Sequence, residues 1–294
     1  MSITVTGPRL GLHHCSSEET KDLRKLHSDF VHCGMLLTEE GTVLSGLGTE
    51  ASRDGILATV SGYRIQYDKL CLVTPFKSKY MPKVGDFVIG RIINVQNAFW
   101  RVEVNCKLSA ILRLNNINLP SGELRRKCLQ DVISMNEHLA VGDLITAEVQ
   151  RVATKGQVEL HTRNLGHGKL GQGILIGVLP SLIKPQAKHV HEMFGIEVTI
   201  GDNGLVWISP EISATGGYGE DTTAVVSKEK RETMVRVAVC VRLLAKGFIF
   251  VSDKTILAAL KLSMAFKIKD LACSEIIQLF ISELRQLSLV EDVS

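Results

Sequence analysis

Two Gly-Asp turns, Gly85-Asp86 and Gly142-Asp143, each launch a strand of alternating character, and this pairing constrains the chain more than any other feature. The first turn opens Phe87-Val88-Ile89-Gly90-Arg91-Ile92 and the second opens Leu144-Ile145-Thr146-Ala147-Glu148-Val149. Trp100 to Val104 alternates between them, and Val158-Glu159-Leu160-His161-Thr162-Arg163 follows. Period-two alternation bounded by Gly and Asp turns marks half-buried strands. Short strands in this arrangement predict a five-stranded OB-fold β-barrel over residues 83–163. That fold takes oligonucleotides on one face.

The flanking segments have other textures. Residues 1–33 read as a flexible N-terminal arm with a polar run from Ser16 to Lys25. Its His13, His14, Cys15, His27, His32 and Cys33 match no standard zinc spacing, so neither a metal nor any other cofactor is expected. Residues 34–82 form a small β domain punctuated by Gly41, Gly46, Gly48, Gly55 and Gly62, with strands at Ile56–Val60 and Leu70–Val73. A unit of this size has little core of its own and is expected to pack on a neighbour or a partner. Inside the barrel segment, Asn118 to His138 reads as a turn followed by helix, an elaboration before the last strands.

Residues 164–294 read as a mixed α/β domain. Strands are expected at Gly173–Val178, Ile196–Ile200, Leu205–Ile208 and Phe248–Val251, with a helical stretch over Ser181–Met193. Met234, Val237, Val241 and Leu244 share one face of a helix running from Lys228. Asp253 is expected to cap the next helix and Ser274 the last, with Ile277, Phe280, Ile281 and Leu284 buried.

Composition narrows the function. Apolar residues make up 45% and charged residues 22%, the balance of a globular chain rather than a disordered one. The net charge of +3 is modest for a lone high-affinity nucleic-acid binder. Seven scattered cysteines without a Cys-x-x-Cys pair read as reduced thiols of an intracellular protein. No apolar run reaches membrane-spanning length, and the N-terminus carries no secretory pattern. Walker, Gly-x-Ser-x-Gly and His-Glu-x-x-His motifs are absent from the sequence, so no catalytic residue and no metal ligand is assigned.

The candidate RNA contacts are therefore basic and aromatic. Arg91, Lys107, Arg113, Arg125, Arg126, Lys127, Arg151 and Lys155 lie on the barrel segment, and Arg125-Arg126-Lys127 is their densest run. That run either grips phosphates or faces solvent or a partner. Trp100 either stacks on a base or fills the core, and the core reading is favoured. Gly201-Asp202-Asn203-Gly204 is the Gly-x-x-Gly turn of a KH domain, which clamps a nucleic-acid backbone in working examples. Asp202 would repel a phosphate, so this turn is expected to be structural.

Taken together, Asn118-Leu119-Pro120-Ser121-Gly122-Glu123-Leu124-Arg125-Arg126, Leu160-His161-Thr162-Arg163-Asn164-Leu165 and Gly168-Lys169-Leu170-Gly171-Gln172-Gly173 resemble the ribosomal-RNA-processing protein 4 family of RNA-exosome cap subunits. Gly201–Gly204 with Val206-Trp207-Ile208 completes the likeness, which runs from about residue 40 to 285. Ser121 departs from it where a second glycine is usual, and Ser209 to Ser227 reads as a variable loop. The resemblance implies an N-terminal β domain, an S1-type barrel and a C-terminal KH-type α/β domain. It implies a non-catalytic subunit that sits on a ring of RNase PH-like proteins beside other cap subunits and guides single-stranded RNA into the pore. Associated nucleases would do the hydrolysis, in nucleus, nucleolus and cytoplasm. Two rivals are a scaffold whose barrel never touches RNA and a stand-alone S1–KH adaptor. An enzyme of the polynucleotide phosphorylase type is disfavoured by the order of the domains and the lack of catalytic ones.

Overall fold

The computed structural model of the 294-residue chain describes residues 30–38, 43–53, 55–75, 78–117, 129–154, 156–163, 168–184, 186–210 and 225–291. The chain divides into two compact units, one ending at Ser78 and one beginning at Lys79.

In the first unit the strands are short because glycines and turns interrupt every apolar run. They are β1 (Phe30–Val31), β2 (Leu36–Thr38), β3 (Leu44–Ser45), β4 (Thr49–Ser52), β5 (Gly55–Ala58), β6 (Gly62–Tyr67) and β7 (Leu70–Pro75). One sheet has the order β1-β6-β7-β3 and a second the order β2-β5-β4. Val31, Leu37, Ile56, Ala58, Cys71 and Val73 make the core, a small one for a unit of this length. Phe30 and Val31, which fall within the expected arm, pair with Tyr63 and Gly62 of β6.

The second unit starts with the barrel. Its strands are β8 (Phe87–Gln96), β9 (Phe99–Glu103), β10 (Ala110–Ile117), β11 (Leu144–Val152) and β12 (Val158–Thr162). They run in the order β12-β10-β9-β8-β11, and β11 pairs with β12 as well, so the sheet closes on itself. The β10–β12 pair is parallel and the others are antiparallel. Closure removes the free edges that would otherwise invite pairing with another chain. Val88, Ile92, Trp100, Val102, Leu112 and Leu160 fill the interior, joined by Met135 and Leu139 from the helical insertion. Two short helices, α1 (Leu129–Ile133) and α2 (Met135–His138), form the described part of that insertion.

β8 is buried on both faces over its first half. Val88 and Ile92 point into the barrel, whereas Phe87 and Ile89 join Trp207 in a separate cluster outside it. This double duty explains why Phe87-Val88-Ile89 is continuously apolar. The outer cluster fastens the barrel to the rest of the unit.

That remainder is α+β. After β13 (Gly168–Lys169), which pairs with β11, come β14 (Ile174–Gly177), β15 (Val190–Met193), β16 (Ile196–Ile200) and β17 (Leu205–Ser209). They form an antiparallel sheet of order β14-β17-β16-β15. Helices α3 (Lys228–Lys246), α4 (Asp253–Ser263) and α5 (Ser274–Glu291) pack with it. Met234, Val237, Val241 and Leu244 of α3 are all buried, as the helical spacing predicts, and share a core with Ile196, Val198 and Ile200 of β16. Phe280 and Leu284 of α5 join them, with Ile277 half-buried against the same core. No helix among the described residues is long and apolar enough to cross a membrane.

Within residues 164–294, three expectations are corrected. Ser181–Met193 is not a helix. Pro180 starts a single 3-10 turn, Ile183 then bridges to Val251, and Val190–Met193 pairs with β16. The turn between β15 and β16 is made by Phe194 and Gly195, both left-handed, as a two-residue hairpin turn of that kind requires. Phe248–Val251 is not a strand, because Val251 alone pairs, through that one bridge. Ser252, rather than Asp253, caps α4. Its hydroxyl accepts from Thr255 N–H while Thr255 Oγ1 accepts from Ser252 N–H, so two end amides are satisfied reciprocally.

Candidate nucleic-acid interface

The barrel's outward face follows from the parity of β9. Trp100 and Val102 point inward, so Phe99, Arg101 and Glu103 point outward. Register extends the face across the sheet. Phe99 lies between Gln96 of β8 and Arg113 of β10. Arg101 lies between Asn94 of β8 and Ile111 of β10. Ile111 is opposite Glu159 of β12, which is opposite Arg151 of β11. Arg101, Arg113 and Arg151 are exposed and Phe99 is half-buried. An OB barrel binds oligonucleotides on this second-strand and third-strand face and its adjoining loops. Three guanidinium groups beside an aromatic ring give that face a phosphate and base character. Arg113 also bonds Glu159 Oε1 at 3.1 Å, which tethers its side chain across the parallel pair.

The other candidates scatter. Arg91 is exposed but opposite Glu103, at the far end of β9 from Phe99. Lys107 lies in the β9–β10 connection at that same far end and is exposed. Arg125, Arg126, Lys127 and Lys155 lie outside the described residues. Arg101 was missing from the sequence-based set although the alternation of β9 exposes it.

Trp100 leaves the candidate set. It is 0% exposed, and its Nε1–H donates to the Leu139 carbonyl at 3.1 Å. A base cannot reach a ring enclosed on all sides, so Trp100 is a core residue with its polar edge satisfied.

The Gly201–Gly204 turn joins β16 to β17 and lies against β8. Gly204 has φ +87, and a Cβ there would fall 2.4 Å from the Val178 carbonyl, so both backbone and space demand glycine. Asn203 is 0% exposed. Its Nδ2 donates to Ile89 O at 2.7 Å and to Val104 O at 3.1 Å, and its Oδ1 accepts from Ile89 N–H at 3.4 Å. Asn105 Nδ2 donates to the Asn203 carbonyl at 3.2 Å. Asp202 N–H donates to Phe87 O at 2.9 Å, and Asp202 Oδ2 accepts from Phe87 N–H at 3.0 Å. The turn is thus a plug that bonds the outer backbone of the barrel.

The seam around the plug carries negative charge. Burial pushes the Asp202 carboxyl above its usual range, with Asp86 adding to the rise; His189, 3.9 Å away, and the Phe87 amide oppose it. The His189 ring stacks on Phe87 with centroids 4.8 Å apart. Tyr80 donates its hydroxyl to Asp86 Oδ2 at 2.5 Å, and burial, followed by this bond to the carboxylate, raises its pKa far above the ordinary phenol range. Two carboxylates beside a filled turn are a poor seat for a phosphate.

A closed five-stranded barrel with an arginine-bearing outer face, bolted to an antiparallel α+β unit, defines a member of the OB class. Sequence comparisons narrow the class. Residues 79–151 match the family described as RRP4, S1 domain. The chain is 39% identical over 258 residues to exosome complex component RRP4 of Mus musculus, covering 86% of this chain and 88% of the relative. It is 40% identical over 234 residues to the RRP4 homolog of Caenorhabditis elegans, covering 78% and 77%. It is 31% identical over 278 residues to exosome complex component RRP4 of Saccharomyces cerevisiae, covering 81% and 77%. The chain belongs to the exosome complex component RRP4 family.

Proposed function

We propose that this chain is a non-catalytic cap subunit of the RNA exosome. It stabilises a ring of RNase PH-like subunits and guides single-stranded RNA into the pore for 3′-to-5′ processing and degradation, ribosomal RNA included. The observation that carries this reading is the outer barrel face of Phe99, Arg101, Arg113 and Arg151 in a chain of this family. Residues 34–82 serve as the N-terminal domain, 83–163 as the S1 domain and 164–294 as a KH-type domain. In the last of these, Gly201–Gly204 acts in packing. Arg91, Lys107, Arg125, Arg126, Lys127 and Lys155 supply additional positive charge along the RNA path. Associated nucleases perform hydrolysis, and the protein works in nucleus, nucleolus and cytoplasm. Weak binding suffices for guidance, because several tethered sites around one pore add avidity.

Purification of the tagged chain from its native cells tests membership. RNase PH-like subunits in stoichiometric amounts, with degradation lost once associated nucleases are stripped, are the expected result. A chain recovered alone or with ribosomes contradicts it. The RNA face is tested by the salt dependence of oligouridylate binding to the assembled complex. Arg101→Ala and Arg113→Ala should each lower the slope of log K against log salt by about 0.7 for every single-strand phosphate that the arginine neutralises. Their effect on stability should stay within about 1 kcal/mol, since both side chains are exposed. An unchanged slope favours the scaffold reading, for which the Glu159 partner of Arg113 speaks.

A further inference from the structure

The corner between α3 and α4 exposes two phenylalanines, Phe248 at 41% and Phe250 at 48%. The way α3 ends makes the first of them unusual. Phe248 N–H donates to Ala245 O at 3.2 Å and Ile249 N–H donates to Leu244 O at 3.0 Å. In this paired terminator the first residue past the cap is left-handed and is usually glycine. Here that position is held by Phe248, at φ 54. Gly247, one residue earlier, has an ordinary φ of −77 and makes no use of its freedom. A left-handed backbone is costly for a bulky residue, and phenylalanine lacks the local hydrogen bonds that let asparagine tolerate it. Strain of this sort at an exposed ring points to a use for the ring.

Phe250 is held firmly. Its carbonyl accepts from Thr255 Oγ1 at 2.9 Å. Next to it Val251 N–H donates to Leu182 O at 2.7 Å, and Ile183 bridges Val251. That pairing brings Lys184 over the ring, with Nζ 5.3 Å from the Phe250 centroid. Ile249 and Val251 are buried, so alternation turns the two rings outward. Lys246 and Lys254 are exposed on either side of the segment. Asp253, the acid among them, is half-buried in the first turn of α4, where it complements the helix dipole. Rigid aromatic faces interleaved with ammonium groups are what single strands use: bases stack on the rings and phosphates meet the cations.

We infer that the Phe248–Phe250 corner, with Lys184, is a second contact for single-stranded RNA, separate from the barrel face. This rests on the RNA-guiding function proposed above. The test is fluorescence polarisation of the full chain with a short fluorescein-labelled oligouridylate, with thermal melts of every variant. Phe248→Asn suits the left-handed backbone and should keep Tm within a few degrees. It should raise Kd about five-fold or more, the low end of the effect of removing one stacked base, and Phe250→Ala should do the same. The double variant Arg101→Ala, Arg113→Ala reports on the barrel independently. Unchanged Kd in both phenylalanine variants, with the arginine variant weakened, overturns the corner and leaves the barrel standing; the rings would then serve a protein partner. Unchanged Kd with a lowered Tm assigns the rings to packing and also overturns it. No binding by the wild-type chain or by its complex overturns the corner together with the RNA-guiding function.

Discussion

Replacing Trp100 with alanine should lower the unfolding free energy by about 3–5 kcal/mol, the range for deleting a large buried aromatic. The ring is among the largest fully enclosed side chains of the protein, and it sits where the second strand crosses the barrel interior. Alanine would leave a cavity lined by neighbours on several strands, and closure of the barrel limits how far they can collapse into it. The Leu139 carbonyl would lose its donor at the same time. Trp100→Phe separates the two contributions: it keeps most of the burial and should cost less than alanine, with about 1 kcal/mol due to the missing hydrogen bond. Urea denaturation of the three proteins measures both. A base-stacking Trp100 would give the opposite pattern, with little change in stability and a clear fall in RNA affinity.

Asn203→Ala is the second large effect, expected at about 2–4 kcal/mol from two orphaned backbone carbonyls. The amide donates to carbonyls on two different stretches of barrel backbone, Ile89 and Val104, and is itself fully buried. Alanine leaves both carbonyls without that donor in a place closed to bulk water, and each buried unsatisfied group costs about 1–3 kcal/mol. Asn203→Asp should be at least as damaging near neutral pH, because a carboxylate accepts but cannot donate and would be buried without a counter-charge. Denaturation measures the destabilisation, and limited proteolysis should show faster cleavage around β8 and β17 as the plug loosens. A cost below about 0.5 kcal/mol for the alanine variant, the level of an ordinary surface substitution, would mean that the plug does not fasten the barrel to the α+β unit.

The barrel was legible in the sequence because its signals are local. Gly85-Asp86 and Gly142-Asp143 announce the strands, and the alternation after them sets their faces. The same alternation already placed Trp100 with Val102 and Val104, on the inward parity, and it placed Arg101 outside. Reading parity across the whole strand would have settled both residues. The role of Asn203 had no such signal. The charge of Asp202 argued against a phosphate clamp, but the partners of Asn203 at Ile89 and Val104 are far away in sequence and only the fold brings them together. The false helix over Ser181–Met193 has a related origin. A stretch with scattered apolar residues fits several periods, and pairing with β16 and Val251 decided among them. Ser252 yields its cap role to Asp253 in the sequence reading because both are good cap residues, and only the reciprocal bonds with Thr255 distinguish them.

In the proposed function, this chain hands RNA to its complex through the outer face of its barrel. The most direct test is photo-crosslinking of a single-stranded RNA carrying photoreactive uridines to the complex purified through this chain, with the adducts mapped to peptides. Adducts on the peptides that carry Phe99 to Arg113 and Arg151 to Arg163 are the predicted result. Adducts confined to other subunits, with this barrel unmodified, would contradict the claim and leave the chain a scaffold.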